Sequence, residues 1–119
     1  MNKIQDILEA LRRAPDARGA AVVTSDGLIA AAALPAGVEA DVVAGLASYL
    51  MLTTGRSLQE GGYGPCGRLV LNATHGKAVV VRLEDSYLVA LFDQFADVGA
   101  AGLRAEQAAT QVRDAARLV

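Results

Sequence analysis

Between Asp41 and Arg56 run fourteen residues, Val42 to Gly55, without a single charge. At helical spacing Val42, Leu46, Tyr49, Leu50 and Leu52 project over about half of the circumference, with Val43 at the margin. The opposite arc carries Ala44, Ala47, Ser48, Met51 and Thr54. A helix on the outside of a small domain shows Lys and Glu on its outward arc; this one shows neither, so both of its sides call for cover. A membrane span needs roughly 20 apolar residues, and this run is shorter and interrupted by Ser48 and two threonines. A helix buried at the centre of a large domain is excluded by length, because a chain of 119 residues keeps its helices near the periphery. Leaving Met51 bare would by itself forgo roughly 1.5–3 kcal/mol. The second side therefore points to a protein partner.

Composition narrows the class of partner. Eleven Lys and Arg stand against 13 Asp and Glu, a net charge of −2, and only three tyrosines and two phenylalanines are available to stack on bases. Neither the charge nor the aromatic content fits a phosphate backbone, so no nucleic acid is expected. The single cysteine excludes an internal disulfide and suits a reducing compartment. The opening Met1-Asn2-Lys3-Ile4-Gln5-Asp6 passes straight into an acidic amphipathic pattern rather than a signal peptide. The expectation is a cytoplasmic protein with no membrane insertion, folded as one domain over residues 1–119.

Ile4, Ile7, Leu8 and Leu11, at i, i+3, i+4 and i+7, predict a first helix capped by Asn2 and stopped by Pro15. Two apolar runs, Gly19 to Thr24 and Leu28 to Ala32, flank Ser25-Asp26-Gly27, where Asp-Gly predicts a hairpin. After a loop opened by Pro35 and Gly37, the uncharged helix is expected from Val38 or Glu39 to about Leu58. A connector, Glu60 to Gly67, contains four glycines and leads to strands at Arg68 to Asn72, Lys77 to Leu83 and Tyr87 to Phe92. Their short polar joints predict an antiparallel meander, and runs such as Val79-Val80-Val81 predict a sheet covered on both faces. A third helix is expected from Gly99 to Val119, with Ala108, Val112, Ala115 and Val119 inward. The order is α-β-β-α-β-β-β-α: an α+β domain in which a five-stranded antiparallel sheet carries helices on both faces.

No residue set here carries chemistry. Gly62, Gly64 and Gly67 spell G-x-G-x-x-G, but a helix precedes the pattern and a strand follows, the reverse of what a dinucleotide site needs. Cys66 and His75, the only thiol and the only imidazole, lack a third orienting group and have no companions at metal-ligand spacing. Cys66 reads as a small hydrophobe and His75 as the tip of a hairpin. The carboxylates are dispersed, and Arg12-Arg13 serves the end of its helix. The expectation is therefore no catalytic residue, no cofactor and no metal. Arg56 and Arg68, flanking the connector, are the candidates for contact with an acidic partner.

With these elements placed, the chain resembles the Roadblock family of dynein-light-chain-like domains, in its bacterial or archaeal form. The resemblance rests on the Ile4–Leu11 helix, the segment Gly19 to Ala30 with its Gly-Ala-x-Val-Val-x-x-Asp-Gly core, the Ala-rich helix Val42–Leu52, and Tyr87 to Phe92 before the last helix. It implies a Roadblock/profilin-like fold and a non-catalytic protein that forms homodimers or heterodimers. In that family the second helices pack together and the third strands pair into one continuous sheet. Carried onto this chain, the seam takes Ala44, Ala47, Ser48, Met51 and Thr54 with Arg68, Leu69, Val70, Leu71 and Asn72. Val42, Leu46, Tyr49 and Leu50 are then left for the sheet, and Met51→Glu is expected to break the dimer. The resemblance further implies a small Ras-like GTPase as partner, which the homodimer regulates or activates. No arginine finger is identifiable, so activation would work by repositioning GTPase loops. The alternatives are a structural adaptor in a motor or signalling complex, and a small-molecule sensor using a pocket under the glycine-rich connector.

Overall fold

The computed structural model describes residues 2–117. Its elements are α1 (Lys3–Arg12), β1 (Ala17–Thr24), β2 (Ile29–Ala33), α2 (Ala40–Glu60), β3 (Arg68–Ala73), β4 (Gly76–Arg82), β5 (Ser86–Phe92) and α3 (Val98–Arg117). This is the expected order, and each of the expected strands lies within about two residues of an observed one. Val119, assigned above to the buried stripe of α3, lies outside the described residues. No described helix is long and apolar enough to cross a membrane.

Local signals set the ends of the elements. The Asn2 side chain accepts a hydrogen bond from the Gln5 amide at 3.2 Å, which caps α1. After Pro15 the chain turns through Asp16, one of the few non-glycine residues able to tolerate its φ of 64°, and enters β1. Between β1 and β2, Gly27 takes the left-handed φ of 88° that the Asp-Gly turn requires. The Thr24 amide donates to Leu28 O, and the Leu28 amide donates to Thr24 Oγ1 at 2.9 Å.

The strands form one antiparallel sheet in the order β2-β1-β5-β4-β3. β1 and β5, far apart in sequence, pair from Ala17↔Phe92 to Thr24↔Ser86 and make its centre. Their residues alternate between two cores. Ala20, Val22, Leu88, Ala90 and Phe92, with Val79 and Val81 of β4, pack against α1 and α3. Ala21, Val23, Tyr87 and Val89, with Val80, belong to the core beneath α2. The expectation of a sheet covered on both faces holds at this centre. It fails toward β3, because α2 packs chiefly over β1, β2 and β5.

Gly19 marks a close approach. A Cβ there would lie 2.8 Å from the Ala33 carbonyl oxygen and 2.8 Å from Pro35 Cδ, neither of which is a flexible side-chain end. Gly19→Ala is expected to destabilise the fold by roughly 1–3 kcal/mol. Gly55, inside α2, has open space where a Cβ would go. Gly55→Ala should stabilise by about 0.5–1 kcal/mol through the helix propensity it restores. Urea unfolding midpoints of the two variants, read by circular dichroism, check both signs.

Candidate functional site

The uncharged helix is laid on the sheet the other way round from the expectation. Ala44, Ala47, Ser48 and Met51 are buried against β1, β2 and β5 of the same chain, and Thr54 is half-buried at the flank. Those residues are therefore not a free surface for a second copy. Of the residues assigned above to the sheet, Val42, Leu46 and Tyr49 are 51%, 57% and 64% exposed and Leu50 is half-buried; Leu52, on the same arc, is 53% exposed.

The reason is the size of what lies beneath. The sheet offers Ala21 and Ala32 to α2, and the β1–β2 turn offers Gly27, where an added Cβ would come 3.1 Å from Ser48 Oγ. A row of small residues lets the helix sit low on that surface, with Met51 filling the gap beside Cys66 and Tyr87. Ser48 discharges its hydroxyl locally, donating to Gly45 O at 3.2 Å. Choosing the larger apolar set for the core follows transfer free energies but ignores this fit. Both arcs lack charge, so periodicity alone had no polar side to point outward.

β3 is an edge of the sheet, bonded to β4 alone and in unbroken register from Arg68↔Val81 to Ala73↔Gly76. Leu69 reaches the core beneath α2, while Arg68, Val70, Leu71 and Asn72 are exposed. The strand lacks Pro, Lys and any bulge, the usual devices that keep an edge from pairing. Beside it, where α2 leaves the sheet uncovered, a groove of about 540 Å³ is lined by Val38, Leu71, Ala78 and Leu91, with Arg18 and Lys77 at its margins. An apolar helix stripe, an unprotected strand edge and an apolar groove thus stand on one protomer. Such a set is suited to protein contact rather than to bond-making chemistry.

The two flagged arginines do not come together. Arg56 is exposed on α2. The Arg68 guanidinium lies across the sheet against α3, beside Gly102 and 3.7 Å from the Glu106 carboxylate. Both members of that ion pair are well solvated, so it contributes little to stability. Cys66 is buried, and its thiol donates to Arg68 O. His75 stands exposed in the β3–β4 turn. Gly62 and Gly64 turn the connector through positive φ. Among the described residues no three His, Cys, Asp or Glu side chains gather as metal ligands. Under the connector lies a second groove of about 440 Å³, bordered by Ser25, Arg56, Gln59, Asp85 and Tyr87. The residues missed at the sequence level are the outward ones, Val42, Leu46, Tyr49 and Thr53. Their alternating spacing of four, three and four is that of a coiled-coil seam, and could have marked them.

Comparison with known proteins places these features in a family. A family model described as the Roadblock/LC7 domain matches residues 3–92. The uncharacterized protein MJ0310 of Methanocaldococcus jannaschii is 29% identical over 110 residues, covering 92% of this chain and 96% of its own length. Among solved structures, a Roadblock/LC7 domain from Streptomyces avermitilis superposes with a TM-score of 0.83 at 22% identity, over 92% of this chain and 94% of that one. Myxococcus xanthus MglB superposes with a TM-score of 0.91 at 16% identity, over 100% of this chain and 98% of that one.

The two arcs of α2 are separable by mutation. Met51→Glu puts an unpaired carboxylate into the core and is expected to cost roughly 3–5 kcal/mol, enough to lose most of a marginal stability. Leu46→Glu changes an exposed position and should leave the far-UV spectrum and a cooperative thermal transition in place. Loss of folding in Leu46→Glu, with Met51→Glu intact, would reverse the assignment of the two faces.

Proposed function

Because the chain belongs to the Roadblock/LC7 domain family, we propose that it acts in the cytoplasm as a non-catalytic homodimer that binds and regulates, or activates, a small Ras-like GTPase. The observation that carries this reading is the outward stripe Val42, Leu46, Tyr49 and Leu52 standing on the same protomer as the open edge of β3. The family resemblance supplies the class of partner.

The magnitudes favour both surfaces acting together. Burying the exposed half of each stripe residue contributes about 1 kcal/mol, or roughly 8 kcal/mol over two copies. Association opposes this with about 4–15 kcal/mol of lost translational and rotational freedom. The helix stripe alone makes a weak dimer. Pairing of β3 edges adds backbone hydrogen bonds, and the groove at Leu71, Ala78 and Leu91 adds apolar area. In this reading Leu69, Val70, Leu71 and Asn72 stay at the seam as first expected, and the α2 contribution moves from Ala44, Ala47 and Met51 to the outward stripe. Arg56 and Arg68 lie on opposite faces of the protomer, so the GTPase meets one of them rather than both.

Sedimentation equilibrium at tens of micromolar is expected to give twice the 12.3 kDa chain mass, and Tyr49→Glu should return a folded monomer. Pull-downs with Ras-like GTPases loaded with GDP or a non-hydrolysable GTP analogue test the partner, followed by hydrolysis rates with and without the protein. Preference for one nucleotide state is expected. Equal binding to both states would leave the structural-adaptor reading in its place.

A further inference from the structure

The two edges of the sheet are built differently. At the start of β3 the Arg82 amide donates to Gly67 O at 2.9 Å, and the register with β4 then runs unbroken to Ala73↔Gly76. Backbone groups alternate along a strand. Leu69 and Leu71 therefore bond to β4, while Arg68, Val70 and Asn72 turn their amides and carbonyls to the open side. Among the described residues the one side chain bonded to these outward groups is the neighbouring Cys66 thiol, at Arg68 O.

β2 presents far less. The Thr24 amide donates to Leu28 O at 2.8 Å, and β1 stays in regular register with β5 from Gly19 to Thr24. By the same alternation Thr24, Val22 and Ala20 all bond toward β2. Their action turns Ala31 and Ala33, opposite Val22 and Ala20, inward. Ala32, between them, carries the outward amide and carbonyl. Toward the hairpin the register shifts, which leaves Ala30 without a residue opposite it and ends the regular edge. The carbonyl that remains is already taken. Gln5 of α1, itself half-buried, donates from Nε2 to Ala32 O at 2.8 Å, and the same amide nitrogen reaches Glu9 Oε1 at 3.5 Å.

We propose that Gln5 seals the β2 edge against strand addition, so that this sheet is extended through β3 alone. A strand arriving at β2 has to take the Ala32 carbonyl from Gln5 and leave a half-buried donor without its acceptor. β3 demands no such exchange. The consequence is closure. A two-fold pair joined at β3 has a β2 at each end of its sheet; with those ends open, pair would add to pair in an unlimited row. Sealed ends stop the row at two. The inference takes the use of β3 from the homodimer reading above and adds the residue that keeps the sheet from growing further.

The test is sedimentation velocity over a concentration series, with far-UV circular dichroism and a thermal melt to show that each variant is folded. Gln5→Ala removes the donor, and Gln5→Glu sets a carboxylate against the Ala32 carbonyl. In both, the weight-average mass is expected to rise with concentration past that of two chains. Gln5→Lys restores a donor and an attraction to Glu9, four residues on, and should stay at two chains like the wild type. Growth needs both edges. Val70→Pro removes an outward amide of β3 without touching the bonds to β4, so adding it to Gln5→Ala should return species no larger than two chains. Equal mass distributions in wild type and Gln5→Ala, or growth that survives Val70→Pro, would overturn the seal. A wild type that stays monomeric would end the homodimer reading; the seal then stands or falls on whether Gln5→Ala forms larger species than wild type.

Discussion

The close seating of α2 on β1 and β2 decides which residues of this fold are left for a partner. Ala44, Ala47 and Ser48 meet a surface built of Ala21, Ala32 and the Gly27 turn, and Met51 closes the remaining gap. Large side chains on that arc would lift the helix away from the sheet and open voids beneath it, and a void forfeits dispersion contacts along its whole lining. With small residues turned inward, the longer apolar side chains of the same uncharged run have nowhere to go but outward. The bare stripe and the tight core are thus one consequence of one packing solution. A chain that selected only for its own stability would place Lys and Glu on that outward arc; their absence between Asp41 and Arg56 is what motivates the proposal of a partner.

The edge strand follows the same logic. β3 hangs on β4 alone, and α2 packs chiefly over β1, β2 and β5, so only Leu69 of its apolar residues reaches the core while Val70 and Leu71 stay largely uncovered. Val70 and Leu71 are partly exposed on opposite faces of the strand. Neither the strand edge nor the helix stripe holds a dimer by itself against the entropy of association. Together they bring directional hydrogen bonds and non-directional apolar burial to one protomer. In the proposed homodimer both would act together.

Much of the fold was legible from residues alone. Asn2 and Pro15 bracket α1, Asp26-Gly27 marks the first hairpin, and the short polar joints after β3 and β4 leave the meander no other direction. Long-range pairing was not legible in that way: nothing local to Gly19–Thr24 says that it lies against Ser86–Phe92. The family resemblance, not the residues, supplied the expectation that β3 lies at a dimer seam and that the partner is a small GTPase. The sidedness of α2 was misread for a physical reason. Amphipathic reasoning needs a polar face, and this helix has two apolar ones that differ only in volume. Giving the small arc to the seam left the larger set for the sheet, whereas the surface opposite α2 is made of alanine and glycine. The corrected stripe carries the spacing of a seam, so the information was present in the order of residues. It was hidden because the same run also satisfies a buried helix.

The proposal that the outward arc of α2 meets a second copy is tested directly by intermolecular nuclear Overhauser effects in a mixture of isotope-labelled and unlabelled protein, filtered to retain only contacts between copies. Cross-peaks are expected between the Leu46 methyl groups of one copy and the Tyr49 ring of the other, with none from Ala44, Ala47 or Met51. Intermolecular contacts confined to Ala44, Ala47 and Met51, or absent from α2 altogether at concentrations where the protein is dimeric, would contradict the outward stripe as the seam.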